Sequence, residues 1–190
     1  AVNLGKTVTP ELDNIAQSKT RNPHDLEYSP GGSSAGSGAA VGDHQVPLAL
    51  GTQTGGSVIR PASFNGVYGL KPTLGLIPRS GVLMQSHTLD TVGVYGRSVE
   101  DLGLIADTLS IYEPSDALSF RGSRGRMLDV LGEKPPRLPR FAFMRTPAWE
   151  HADRAAQAAI EGVAQSLGAQ CDEQDLPEPW QRVTELHATV

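Results

Sequence analysis

Apolar positions recur along this chain in short runs, and their spacing sets the elements expected. Ala1-Val2-Asn3-Leu4 is a brief, mostly apolar run closed by Gly5, which reads as a buried strand. Thr9-Pro10-Glu11-Leu12 has the order of a helix start, a capping threonine with proline at the first helical position. From 33 to 41 nearly every residue is Ser, Ala or Gly, a run that lets a helix lie close against its neighbours although glycine weakens it. Residues 46–50 predict a short buried strand with a loop at 51–56, and 66–70 predict another strand. The stretch 74–94 is punctuated by glycine and predicts loops with short strands. Ser98-Val99-Glu100-Asp101 has the form of a capping box, and Leu102, Ile105, Ala106 and Leu109 give a helical stripe behind it. Further on, 141–144 is strand-like. Residues 153–167 form an alanine-rich amphipathic helix stopped by Gly168, its stripe expected in the core. An extended piece at 171–176 and a helix starting at Trp180 follow.

The strand–helix–strand order gives an α/β class. Residues 1–112 are expected to form the core, and 113–140, rich in Pro, Gly and charge, a variable connector. Residues 141–190 would continue the same domain and be cut short. There is no internal repeat.

Composition narrows the function classes more than the fold. A chain of 190 residues can bury one proper core. Its 38% apolar content is low, but 21 glycines and 14 prolines account for much of that, so the chain is loop-rich rather than disordered. A net charge of −5 with interspersed signs argues against a nucleic-acid surface. No apolar stretch is long enough for a membrane helix. Cys171 is the only cysteine, which excludes a disulfide framework and a cysteine-based metal site and leans towards the reducing cytoplasm. No metal or cofactor is expected. The residues read as a central piece of a longer protein, so missing targeting signals carry no weight.

The candidate chemistry lies in two glycine–serine clusters, Gly31-Gly32-Ser33-Ser34 and Gly55-Gly56-Ser57. A serine hydroxyl is a poor nucleophile at neutral pH and needs a base and a site for the developing oxyanion. Glycines beside a serine let backbone N–H groups converge on that oxygen. The second cluster is not a Gly-x-Ser-x-Gly elbow, because Ile59 stands two residues after Ser57. None of His24, His44, His87, His151 and His187 sits in a catalytic context, whereas a Ser–Lys scheme needs no histidine. Gly5-Lys6-Thr7 has the tail of a phosphate loop, but the residues before it look like strand, and Lys6 reads as structural. Each serine has a plainer alternative as a helix cap. Arg60 reads as half of a structural ion pair, Lys71 as locally paired and Asp90 as a turn anchor.

Three motifs in order carry a resemblance. Ser29-Pro30-Gly31-Gly32-Ser33-Ser34-Ala35-Gly36-Ser37, then Leu50-Gly51-Thr52-Gln53-Thr54-Gly55-Gly56-Ser57, then Gly69-Leu70-Lys71-Pro72-Thr73 together look like the amidase signature family. The likeness is dense over residues 1–105. It implies an α/β/α layered fold around a mixed central sheet, and amide-bond hydrolysis by a Ser–cis-Ser–Lys triad. Ser57 would match the nucleophile and Ser33 the bridging serine, whose peptide bond is cis in the family. The backbone N–H groups of Thr54, Gly55, Gly56 and Ser57 would match the oxyanion hole. The family's lysine lies several tens of residues before the bridging serine, and neither Lys6 nor Lys19 is in a matching motif. The base is therefore expected outside this chain, and the chain alone is expected to hydrolyse nothing appreciable. Gln53 stands where many members have aspartate, and Asn65 where many have cysteine, which bears on the pocket wall. The implied partner is a small-molecule amide, with no nucleic acid and no membrane; a homodimer is left open. The glutaminase-type component of a glutamyl-tRNA amidotransferase, its A chain, is the alternative within the family. A non-catalytic anion-binding module built on the glycine loops is the alternative outside it.

Overall fold

The computed structural model describes residues 2–10, 18–122 and 124–183, in two units, Ala1–Leu131 and Gly132–Val190. In the first unit the elements run α1 (Ala35–Gly42), β1 (Ala49–Gln53), α2 (Ile59–Phe64), β2 (Tyr68–Leu70), β3 (Thr91–Gly96), α3 (Val99–Leu109) and α4 (Met127–Val130). β3 is the hub. All six of its residues are buried, and three of them, Thr91, Val92 and Val94, are β-branched, which suits a packed, pleated surface. It is the middle strand of an antiparallel sheet ordered β1-β3-β2. Ala49 lies opposite Tyr95, Gln53 opposite Thr91 and Tyr68 opposite Gly96.

Side-chain alternation along β3 divides the core between the two faces of the sheet. Val92 and Val94 pack with Ile77, Leu102 and Ala106 on the α3 side. Tyr95 packs with Val41, Val58 and Ala62 on the α1 and α2 side. The unit is thus a three-layer α/β/α sandwich, as the resemblance implies. Gly93 faces Val58, and a Cβ there would lie 2.8 Å from Val58 Cγ2, so the close seat of α2's entry on the sheet needs a glycine. Ser98 caps α3, its hydroxyl accepting from the Asp101 N–H at 3.0 Å, as the capping-box pattern predicts.

Part of the stretch read as a connector packs into this unit. Asp107 on α3 accepts from the N–H groups of Met127 and Leu128 at 2.8 and 3.0 Å, capping α4. Phe120 N–H donates to Gly75 O at 2.9 Å, and Asp116 pairs with the buried Arg79.

The second unit holds β4 (Phe141–Phe143), a 3-10 turn at Trp149–His151, α5 (Arg154–Leu167), β5 (Cys171–Glu173) and α6 (Glu178–Gln181). β4 and β5 are parallel, with α5 as the crossover between them. Asp153 caps α5 by accepting from Ala156 N–H at 2.7 Å, and Gly168, at φ 52°, ends it. No helix among the described residues is long and apolar enough to cross a membrane.

Three expectations are corrected. Val2, Asn3 and Leu4 form exposed coil, not a buried strand, because no neighbouring strand pairs with them among the described residues. The strand expected at 46–50 begins three residues later and runs on to Gln53. Pro47 has no N–H to give a ladder, and residues 51–53 find partners on β3. That strand is also an edge, so Leu50 is half exposed rather than buried. The stripe of α5 is not core: no residue of the helix is buried, since the described second unit offers it only a two-stranded sheet. The helix expected after Thr9 lies largely outside the described residues.

Candidate active site

The small-residue run builds the first half of the site. α1 packs so closely on its surroundings that Gly36 N–H donates to Val8 O at 3.0 Å, and a Cβ on Gly36 would lie 2.5 Å from Val8 N. Ser33 and Ser34 lie at its entrance and are buried. The Gly32–Ser33 peptide bond is cis, as the resemblance implies. Neither serine caps α1 through its side chain. The Ser34 hydroxyl instead reaches β1, donating to Thr52 O at 3.3 Å and accepting from Thr52 N–H at 3.2 Å. Ser37 Oγ donates to Leu50 O at 2.6 Å, one turn further on.

The loop ahead of Ser33 is held by amides. Asn65, at the end of α2, is fully buried. Its Nδ2 donates to Pro30 O and to Pro61 O, both at 2.7 Å, while its Oδ1 has no hydrogen-bond partner. Asn22 Nδ2 donates to Phe64 O at 2.7 Å, and His24 Nε2 lies 2.9 Å from Asn65 O. Arg60 Nη1 donates to Gly32 O at 3.3 Å. No carboxylate pairs with Arg60 among the described residues, so the ion pair expected for it is corrected to a backbone contact. Lys71 Nζ donates to Pro72 O at 2.8 Å, a local partner as expected.

β1 delivers the second half. Its ladder ends at Gln53, the chain passes through Thr54, Gly55 and Gly56, and Ser57 precedes α2. Ser57 is buried, Gly55 exposed, Thr54 and Gly56 between. The cap of α2 is Gln53, not Ser57. Gln53 Oε1 accepts from Val58 N–H at 2.9 Å and Ile59 N–H at 3.0 Å, satisfying two donors that a helix start leaves open. On the other flank Thr54 Oγ1 donates to Asp90 Oδ1. The N–H groups of Gly55, Gly56 and Ser57 make no hydrogen bond to any described residue.

The two halves meet at the carbonyl of Ser57, which accepts from Ser34 N–H at 3.3 Å and from Tyr95 OH at 3.2 Å. Burial pushes the Tyr95 phenol well above its usual range, against a smaller opposite effect of the Ser34 hydroxyl. Tyr95 is therefore a neutral donor at any physiological pH. Neither the Ser33 nor the Ser57 hydroxyl has a hydrogen-bond partner among the described residues, and neither a lysine nor a histidine bonds to them. A cavity of about 380 Å³ opens beside the Ser33 loop, lined by Gly31, Gly32, Arg60, Phe64, Tyr28 and Arg21 among others.

Sequence reading passed over the supports of this site. Gln53 and Asn65 stood out only as departures from a family pattern, and Tyr95 and the Thr54–Asp90 pair gave no signal. Their partners lie too far along the chain for any local spacing to show. The side-chain acceptors next to a glycine loop were the one available hint.

The whole chain has relatives. The family model described as Amidase matches residues 1–185. The A chain of the glutamyl-tRNA(Gln) amidotransferase of Synechococcus elongatus is 39% identical over 183 residues, covering 93% of this chain and 38% of that protein. Among solved structures, a peptide amidase in complex with the competitive inhibitor chymostatin superposes with a TM-score of 0.86 at 31% identity, covering 100% of this chain and 42% of the other. The 6-aminohexanoate cyclic dimer hydrolase gives 0.75 at 33% identity, covering 90% and 38%. This chain thus spans about 38% of the length of the curated relative.

Proposed function

Since the chain belongs to the amidase family, we propose that its parent protein hydrolyses a small-molecule amide through an acyl-enzyme on Ser57. The observation that carries this reading is the arrangement at Ser57. A buried serine follows two glycines, with three consecutive N–H groups unpaired, and its carbonyl is hydrogen-bonded to the N–H of Ser34 beside Ser33. In the reaction, Ser57 Oγ attacks the amide carbon while its proton passes through Ser33 to a lysine supplied by the rest of the parent protein. Charge then builds on the carbonyl oxygen. The N–H groups of Thr54, Gly55, Gly56 and Ser57 receive it without reorganising, which is where such loops gain most of their rate. The C–N bond breaks and the amine leaves with the relayed proton. Water then cleaves the ester by the same path in reverse, restoring the Ser57 hydroxyl.

In the full-length protein, Ser57→Ala should lower amide turnover by on the order of 10⁴-fold or more. Near-normal hydrolysis by that variant would remove Ser57 from the role of nucleophile. A second reading is favoured by the glutamyl-tRNA(Gln) amidotransferase relative: the same chemistry would release ammonia from glutamine for use by partner proteins. Glutamine turnover that appears only when those partners are added would select it. A non-catalytic anion-binding module would instead leave Ser57 unreactive.

A further inference from the structure

We propose that Asp90 is a positioning residue for the oxyanion loop, acting through the hydroxyl of Thr54; this rests on the assignment of Ser57 as nucleophile. The sheet ladder between β1 and β3 stops at the pair Gln53–Thr91. One step beyond that register stand Thr54 and Asp90, and there side chains take over from backbone: Thr54 Oγ1 donates to Asp90 Oδ1. After Thr54 come Gly55 and Gly56, which have no side chain to fix them and wide backbone freedom. The next fixed point is the Gln53 amide holding the N–H groups of Val58 and Ile59. The loop that would bind the oxyanion is thus suspended between two anchors, and the Thr54–Asp90 contact is the upstream one.

Asp90 is itself firmly set. It is buried, and its second oxygen accepts from Gln85 N–H at 2.6 Å and Ser86 N–H at 3.1 Å. Its own N–H donates to Ser86 O at 3.1 Å, which makes it the turn anchor expected from sequence. Behind it, Arg79 Nη1 donates to the carbonyls of Asp90 and His87 at 3.0 and 2.9 Å. Arg79 is held in turn by Asp116, whose Oδ2 accepts from Arg79 N–H at 2.8 Å. Both side chains of that pair are buried. The threonine hydroxyl has a single hydrogen, and of its two acceptors the carboxylate is the nearer, with Gln85 Oε1 at 3.2 Å the weaker. A loop released at one end would still bind substrate, yet its N–H groups would no longer be aimed at the developing charge. The loss belongs in kcat more than in KM.

The test uses the full-length protein with a simple amide substrate and four variants: Thr54→Val, Thr54→Ser, Asp90→Asn and Thr54→Val with Asp90→Asn. Thr54→Val and Asp90→Asn should each lower kcat by about tenfold to a hundredfold with KM changed by less than about threefold. The double variant should be no worse than either single one, because both break the same contact. Thr54→Ser, which keeps the hydroxyl, should recover most of the rate lost in Thr54→Val. Losses that multiply in the double variant, or a Thr54→Val enzyme within twofold of wild type, would overturn the proposal. If Asp90→Asn does not fold, the Thr54→Val and Thr54→Ser pair decides alone on those terms. An active Ser57→Ala enzyme would sink the underlying mechanism instead. An inactive Ser57→Ala beside an unaffected Thr54→Val would sink only the role of Asp90.

Discussion

Gln53 offers the sharpest link between local geometry and stability. Its buried Oε1 is shared by two backbone donors, Val58 N–H at 2.9 Å and Ile59 N–H at 3.0 Å. Gln53→Leu keeps the volume and removes the acceptor. The two donors then fare differently. Val58 is fully buried, so its N–H loses a partner that water cannot replace; Ile59 is nearly half exposed and its N–H can be solvated. A buried unsatisfied donor costs about 1–3 kcal/mol and a solvated one about 0.5, so the variant should lose about 2 kcal/mol locally. Amide hydrogen exchange reads this at the residues concerned. Protection of Val58 and Ile59 should fall roughly 25-fold, since about 1.4 kcal/mol corresponds to a factor of ten. Gln53→Glu keeps an acceptor oxygen in reach of both N–H groups and adds charge at a helix start, where it is favoured, so its protection should be no lower than wild type. Unchanged protection in Gln53→Leu, or an equal loss in Gln53→Glu, would refute the capping argument.

Other outcomes follow from the same contacts. Asn65→Ala removes both 2.7 Å bonds to Pro30 O and Pro61 O; denaturant titration should show a loss of about 2–4 kcal/mol, with turnover lowered as the Ser33 loop loosens. The Asp116 carboxyl would be raised by its burial, but hydrogen bonds from Arg79 and Leu118 and the Arg79 charge outweigh that and hold it below the usual carboxylate value. A lowered folded value means stability that is complete above the unfolded pKa of about 3.9 and lost as pH falls through the folded one. Asp116→Asn should therefore flatten the acid limb of a stability–pH profile below about pH 4, and an unchanged limb would contradict the pairing.

Elements set by neighbouring residues were legible in the sequence, and those set by distant partners were not. The cap of α3 at Ser98, the cap of α5 at Asp153 and its stop at Gly168 are local grammar, and each stands where the residues put it. β1 slipped because a run of apolar residues says little about which N–H groups can join a ladder once Pro47 is among them. β3, the hub of the fold, lay hidden at the end of a glycine-punctuated stretch. Its six residues are buried on both faces and so show no alternation of polar and apolar. In the site, the glycine–serine clusters announced themselves. What fixes them, Asn65 reaching back to Pro30 and Asp90 reaching back to Thr54, spans tens of residues and depends on the sheet having formed first.

The central claim is that Ser57 is the nucleophile. A fluorophosphonate reacts with an activated serine and leaves a stable covalent adduct, so peptide mapping of the labelled full-length enzyme reads the assignment directly. The adduct is expected on Ser57, formed at a rate that falls in Ser33→Ala and vanishes in Ser57→Ala. An adduct on another serine of an active enzyme, or full turnover with Ser57 unlabelled and the probe in excess, would contradict it.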